Sequence, residues 1–412
     1  MNNNFEFNIE NTNLNNKDLR AKSLDFFNKN GFPNKRIEEW KFTDLEKIIK
    51  NNFQELKFNN LISQEQIKID LIKDFDHNSI ILIDGNFKSK NFKYEKESNI
   101  KVEKYSKKLT KYDISKSSLI NLNNALSTDG YSLEILNQYK FNKPLIIYNF
   151  FSNNVKNKII NNTNFIEIKN NSSLEIIEYH SDISQSNFFY NNKTIIKVGK
   201  NSTLKKYNLQ GCKSNGFYYK FIDTSIDENS NYENFIFTSG VKFNKIDENI
   251  CINGEKANCT IQSALLLDLN SHQEIKTEVK HLKPNCSSYQ KIKNVLKDNS
   301  KGAYQGKIFV KEIAQKTDAY QLSKALILSE KAEFNAKPEL EIYADDVKCS
   351  HGSTSGNMNE DSIFYLMTRG LSRKKAKELL TKAFLNEVID NLENFEIKKL
   401  IEKNMDRQIN GH

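Results

Sequence analysis

The sequence predicts a mainly β protein: a parallel β-helix core held between N-terminal and C-terminal helical regions. Three observations predict it. From about residue 146 to 345, apolar and β-branched runs of five to eight residues alternate with Asn/Ser/Gly/Lys clusters, the pattern of short strands between turns. Within that stretch "IKNNSSLEIIEY" from Ile168, "VGKNSTLKKYNL" from Val198 and "IDENSNYENFIF" from Ile226 repeat at spacings of 30 and 28 residues, each with Asn-Ser in a turn before a strand. A period of this size with no helix inside it suits coils stacked so that each pairs its backbone with the next over an inward-facing apolar ladder. Finally, helical periodicity is confined to the two ends. A β-sandwich, whose strands also recur at short spacing, competes for the same pattern, and the Asn-rich composition supplies some Asn-Ser matches by itself.

The elements follow in order. Residues 1–58 read as a helical region. "KDLRAKSLDFF" carries Leu19, Leu24, Phe26 and Phe27 on a rough face, and "GFPN" at 31–34 ends it, because Gly31 can close a helix and Pro33 cannot continue one. A second helix is expected through "EEWKFTDLEKIIKNNF", burying Trp40, Leu45, Ile48 and Ile49. Residues 59–145 are mixed α/β: "SIILIDG" at 79–85 reads as a buried strand and "SSLINLNNALS" as a short helix. The β-helix is expected over 146–354. From 355 to 412 the chain returns to helix. Asn359 is the expected cap of "NEDSIFYLMTRGLS", with Gly370 near its stop. Ser372 opens the next helix, in which Ala376, Leu379, Leu380, Ala383, Phe384 and Val388 form one stripe opposite Lys374, Lys377, Glu378 and Lys382. A shorter helix follows around Phe395, Ile397, Leu400 and Ile401.

Composition narrows the function classes. The chain has 412 residues, 38% hydrophobic and 27% charged, and no apolar run approaches a membrane span. Its start lacks the basic and apolar regions of a secretory signal. The net charge of +9 comes from Lys interleaved with Asp and Glu rather than clustered, and about one residue in seven is Asn. That bias looks like AT-rich coding and argues against a nucleic-acid surface. Cys212, Cys251, Cys259, Cys286 and Cys349 are odd in number and widely spaced, against a disulfide scaffold or zinc ribbon and for a reducing compartment.

One stretch carries candidate chemistry. In "DDVKCSHGSTSG", 345–356, a strand would turn Cys349 and His351 to the same side. They are open to three readings: metal ligands, a nucleophile with its base, or an inert turn. Two ligands cannot close a metal site, so the rest would come from elsewhere. "GAYQGKIF" at 302–309 has Walker-like glycines but the wrong spacing, with Ile308 where a magnesium-binding hydroxyl belongs, so no nucleotide site is expected. His272, His281 and Cys286 match no ligand spacing and read as polar residues at coil edges. Asp345 and Asp346 would point to opposite faces of a strand, a poor start for a glycosidase pair.

The block "SHQEIKTEVKHLKPNCSSYQKIKNVL…DDVKCSHGSTSG", followed by "IFYLMTRGLS", closely resembles the SufB/SufD family of iron–sulfur cluster assembly proteins, and "GFPNKRIEEWKFTDL" resembles the N-terminal motif of its SufD branch. The resemblance runs from about residue 17 to about 390 and is densest over 272–371. It implies a right-handed parallel β-helix and a non-enzymatic scaffold subunit in the cytoplasm, with ATP hydrolysis supplied by a partner. It implies pairing with SufB through the β-helix, or a homodimer in isolation. It also implies docking of the SufC ATPase on the C-terminal helices, through the stripe Ala376 to Val388. Where SufB has its cluster-building Cys this chain has Leu322, and where SufB has Glu it has His351; both departures favour SufD. His351 resembles the SufD histidine at the seam with SufB, an expected ligand or iron-handling group for a transient iron or nascent cluster, with Cys349 the second candidate. A SufB-like homodimeric scaffold and a carbohydrate-active β-helix enzyme are the alternatives.

Overall fold

The computed structural model describes residues 5, 7, 16–58, 69–104, 114–182, 184, 186–211 and 213–409; Cys212 and most of the first fifteen residues lie outside them. The chain is 48% strand and 22% helix, and its core is a parallel β-solenoid of about eight turns. Consecutive strands lie in opposite sheets, and each pairs in parallel with the strand two places on. Leu174, Leu204, Tyr232, Cys259, Ser288, Ala319 and Cys349 are therefore successive register partners down one sheet. A sandwich would make no such coil-to-coil ladder.

The Asn-Ser repeat has a double cause. Asn171, Asn201 and Asn229 sit at φ 59°, 53° and 53°, the left-handed conformation that Asn tolerates better than most residues. Each donates its backbone N–H to the neighbouring coil, Asn171 to Lys200 at 2.8 Å and Asn201 to Glu228 at 2.9 Å. The serine that follows builds a rung. Ser202 Oγ donates to the Lys169 carbonyl at 2.8 Å and accepts from the Ser172 N–H at 3.1 Å; Ser230 Oγ accepts from the Ser202 N–H at 3.2 Å. The same left-handed turn continues at Lys256, Asn285 and Lys316, followed by Ala257, Cys286 and Thr317, where the sequence signature fades but a small residue persists.

The interior departs from the expected apolar ladder. Beside the turns it is aliphatic, with Ile168, Val198, Ile226, Ile252 and Leu174 buried. Its other half is polar. Lys206 meets Glu178 at 2.9 Å with both side chains buried, and Lys220 Nζ bonds His180 Nε2 at 2.8 Å and Asn208 Oδ1 at 3.0 Å. Burial pushes the Lys220 amine down to about 7 despite Glu178. Burial would raise Glu178, but Lys206 and Lys220 outweigh it and hold the carboxyl below its usual range.

Helices close the flanks. Helix α1 (Lys17–Asn30) ends at Gly31 as expected, but the helix expected across 38–53 is split: a short 3₁₀ turn, Glu38–Trp40, precedes α2 (Leu45–Asn52), which Asp44 caps through the Lys47 N–H. The split arises because 38–43 lies across the first sheet instead of coiling on. Trp40 is buried with Lys245 Nζ 4.8 Å from its ring, Lys245 and Gln305 both donate to the Glu39 carbonyl, and Thr43 pairs with His272 at 2.7 Å and with Glu274. Helix α3 (Ser118–Leu126) packs on α1, and the fully buried strand Asn78–Ile83 begins one residue before "SIILIDG" and ends within it. At the far end α4 (Glu360–Thr368), α5 (Arg373–Ile389) and α6 (Phe395–Ile409) follow, with Asn359 and Ser372 capping α4 and α5 through the N–H groups of Ser362 and Lys375. No helix among the described residues is long and apolar enough to cross a membrane.

Candidate functional site

The two ends of the solenoid are finished differently. At the N-terminal end the sheets close with antiparallel strands, Asn86–Asn91 and Ile100–Lys104, whose exposed Lys88, Lys90, Lys101 and Lys104 blunt the edge. At the other end Glu333–Ile342 and Val347–Asn357 are the last members of their sheets. From Cys349 to Asn357 the second of these strands has no charged side chain apart from what His351 can carry, and it has no proline. It is a long edge that resists pairing poorly.

Cys349 and His351 sit on this strand with the shared facing that the sequence predicts. The strand begins at Val347, so Asp345 and Asp346 fall in the preceding bend, and the expectation that they occupy opposite faces of a strand is corrected. Register places Cys349 beside Ala319, His351 beside Gln321 and Ser353 beside Ser323. Ala319, Gln321 and Ser323 are buried and point inward. Ser323 Oγ reaches Ser353 Oγ at 2.9 Å, and Cys349 packs with Ile308, Val310 and Ala319. His351, between them, therefore belongs to the inner face of the last coil, yet it is exposed because no further coil covers it. Cys349 is half-buried, and burial pushes its thiol up, so it is a weaker thiolate donor here than in a wetter setting. An imidazole nitrogen and a sulfur two residues apart suit iron by donor type. Among the described residues no group of three or more His, Cys, Asp or Glu side chains is placed to hold a metal ion, so ligands beyond this pair would come from another chain.

Beneath His351 lies a polar floor that sequence reading missed. Tyr304 Oη donates within a group formed by Gln290 Oε1 at 3.1 Å and Gln321 Oε1 at 3.3 Å, beside Thr277 Oγ1 at 3.2 Å. Gly306 makes room for it: a Cβ there would stand 2.1 Å from Gln321 Oε1. "GAYQGKIF" is thus the buried strand Lys301–Val310, and its glycines serve packing. The only available signal was two glycines four apart inside a β-pattern.

The other candidates separate. His272 pairs with Thr43 at the start of its strand, whereas His281 is fully buried and bonded to Ser288 Oγ at 2.9 Å. The coil-edge reading is corrected for His281, which points into the core. Burial holds both imidazoles down at about 4. Cys286 lies in a turn with Sγ 3.2 Å from the Gly254 carbonyl.

The helical stripe is divided. Ala376 and Val388 are fully buried within the chain, with Leu385 and Ile389, so the expectation that they form a partner surface is corrected: α5 uses them to pack on its own protein. Phe384 is half-buried. Leu379 is 46% exposed, and with Leu380, Ala383, Tyr365 and Leu366 it lines an open groove of about 470 Å³ between α4 and α5. Phe364 and Tyr365 on α4 are 68% and 57% exposed.

Comparison with known proteins places this geometry in a lineage. Residues 150–384 match the family model "SUF system FeS cluster assembly, SufBD core domain", and residues 7–147 match "SufBD protein N-terminal region". The chain is 24% identical over 385 residues to the iron–sulfur cluster assembly protein SufD of Escherichia coli, covering 92% of this chain and 90% of that one. It is 25% identical over 387 residues to an iron–sulfur cluster assembly SufBD family protein of Synechocystis, covering 87% and 84%. A 133-residue stretch is 31% identical to SufD of Bacillus subtilis, covering 32% and 30%.

Proposed function

The chain belongs to the SufBD family of SUF-system iron–sulfur cluster assembly proteins, and on that premise we propose that it is a non-catalytic scaffold subunit, SufD-like, that pairs with SufB through the open end of its solenoid. The observation that carries this reading is the contrast between the ends: one blunted in both sheets by lysines and reversed strands, the other offering in Val347–Asn357 a long, nearly charge-free edge over an uncovered inner face, while its companion edge Glu333–Ile342 carries Glu333, Lys337, Glu339, Glu341 and Pro338. A second solenoid adding there would satisfy the edge and enclose His351. The cargo is iron or a nascent cluster, held transiently by His351, with Cys349 a lesser contributor and the partner supplying the remaining ligands. The SufC ATPase docks on the groove between α4 and α5, where large apolar side chains stand in water at a cost that docking relieves. Nucleotide-driven movement of SufC opens the seam between the solenoids. The assembly works in the cytoplasm.

The test is the mass of the complex formed with SufB and SufC, and its iron content. His351→Ala is expected to leave the complex intact and lower its iron. Unchanged iron would make His351 structural, and a chain that forms only homodimers in the presence of SufB would favour the homodimeric scaffold.

A further inference from the structure

Helix α5 faces two ways. Leu379 and Ala383 look onto the groove, while Leu385, Val388 and Ile389 are buried against the second sheet. The enclosed polar attachment of its C-terminal half to that sheet is Lys293, on the strand Ser287–Leu296. This side chain is fully buried. Its Nζ donates to the Phe384 carbonyl at 2.7 Å, meets Glu387 Oε2 at 2.5 Å and lies 4.1 Å from the Phe384 ring centre. Lys291 on the same strand reaches Glu387 at 3.6 Å. Burial pushes the Lys293 amine down despite Glu387, so the grip consists of an enclosed hydrogen bond to a helical carbonyl together with a partly exposed ion pair. The other polar ties from this region, Lys205 to Glu393 and Asn394 to Glu175, hold the segment before α6 to earlier coils.

Lys293 also stands in line with the open edge. Its register partner is Lys324, and the partner of Lys324 is Thr354, three residues from His351. Two strand spacings, roughly 10 Å, separate the grip from the edge along the direction of the hydrogen-bond ladder. We propose that Lys293 is the coupling post through which displacement of α5 reaches the terminal coil. It is a positioning residue, and its role rests on the reading that a nucleotide-hydrolysing partner docks on the α4–α5 groove.

The experiment uses the assembled complex of this chain with SufB and the ATPase. Modification of the Cys349 thiol by a maleimide is followed by mass spectrometry with and without ATP, with Cys349→Ser as the blank. In the unsubstituted complex ATP is expected to raise the modification rate. With Lys293→Met, complex mass and ATP hydrolysis stay unchanged while the ATP-dependent increment falls about threefold or more; Lys293→Arg, which keeps the charge and reach, retains most of it. Should Lys293→Met shed the ATPase, Glu387→Gln removes the ion pair at a half-exposed residue and carries the same expectation at smaller amplitude. An undiminished increment in the substituted complexes overturns the coupling. Absence of any increment in the unsubstituted complex overturns the opening motion itself, and the post with it.

Discussion

Ser202→Ala tests the turn that builds the solenoid. Ser202 is 1% exposed, and its hydroxyl bridges two coils, donating to the Lys169 carbonyl at 2.8 Å and accepting from the Ser172 N–H at 3.1 Å. Alanine fits the space but satisfies neither group. A buried donor or acceptor left unpaired costs about 1–3 kcal/mol. The Ser172 N–H and the Lys169 carbonyl each lose the hydroxyl, and a carbonyl tolerates the loss better than an N–H, so the expected cost is about 2 kcal/mol. In a stack of coils that contact only their neighbours, the loss stays local. The assay is amide hydrogen exchange read by mass spectrometry. Peptides spanning 168–204 are expected to exchange about thirtyfold faster through local opening, and those spanning 301–357 to be unchanged. Asn201 beside it is a control of the opposite kind. At φ 53°, glycine is expected to change exchange little, whereas alanine costs roughly 1 kcal/mol for the left-handed backbone. Exchange in 168–204 that stays unchanged after Ser202→Ala would refute the claim that the serine rung holds adjacent coils together.

Two further outcomes are expected. Leu379→Asp, at a 46% exposed position, should leave the thermal transition nearly unmoved and remove the ATPase from a pull-down, whereas Val388→Asp, at a fully buried one, should cost several kcal/mol and impair folding itself; retention of the ATPase by Leu379→Asp would exclude the groove. His281 gives a pH dependence. Burial holds its folded pKa at about 4 against 6.5, so as pH falls through that window the unfolded chain binds a proton that the folded chain refuses. Stability therefore declines from pH 6.5 toward 4, by roughly 3 kcal/mol at the acid end from this residue. Urea titrations of His281→Gln across the same range should show a shallower decline, and an equal slope would remove His281 as its source.

The sequence by itself determined the strand-and-turn period and the helical ends; that the strands stack as coils and not as a sandwich is settled by the pairing. Strand-length apolar runs, Asn where the backbone turns left-handed and Ser where a hydroxyl must bridge coils are local requirements, and they stand in the chain at the period of the coil. The caps Asn359 and Ser372 were legible for the same reason, since each side chain bonds an N–H three residues away. The repeat faded after Ile226 because Ala257, Cys286 and Thr317 fill the serine position with different chemistry but similar size.

Only the tertiary structure decided what the interior holds and where the chain is unfinished. Nothing in the sequence marks Lys206, Lys220 and Glu178 as interior; coil stacking turns them inward, where each is tolerable only because the others, up to 42 residues away, are placed against it. Ala376 and Val388 share a helical stripe with Leu379 and Ala383, but Val388 is covered by the sheet beneath α5 and Ala376 is buried within the chain, while the others stand in water. His351 is inward by strand parity and exposed by the absence of a next coil among the described residues. Parity is a property of neighbours in sequence; being last in the stack is a property of the whole fold.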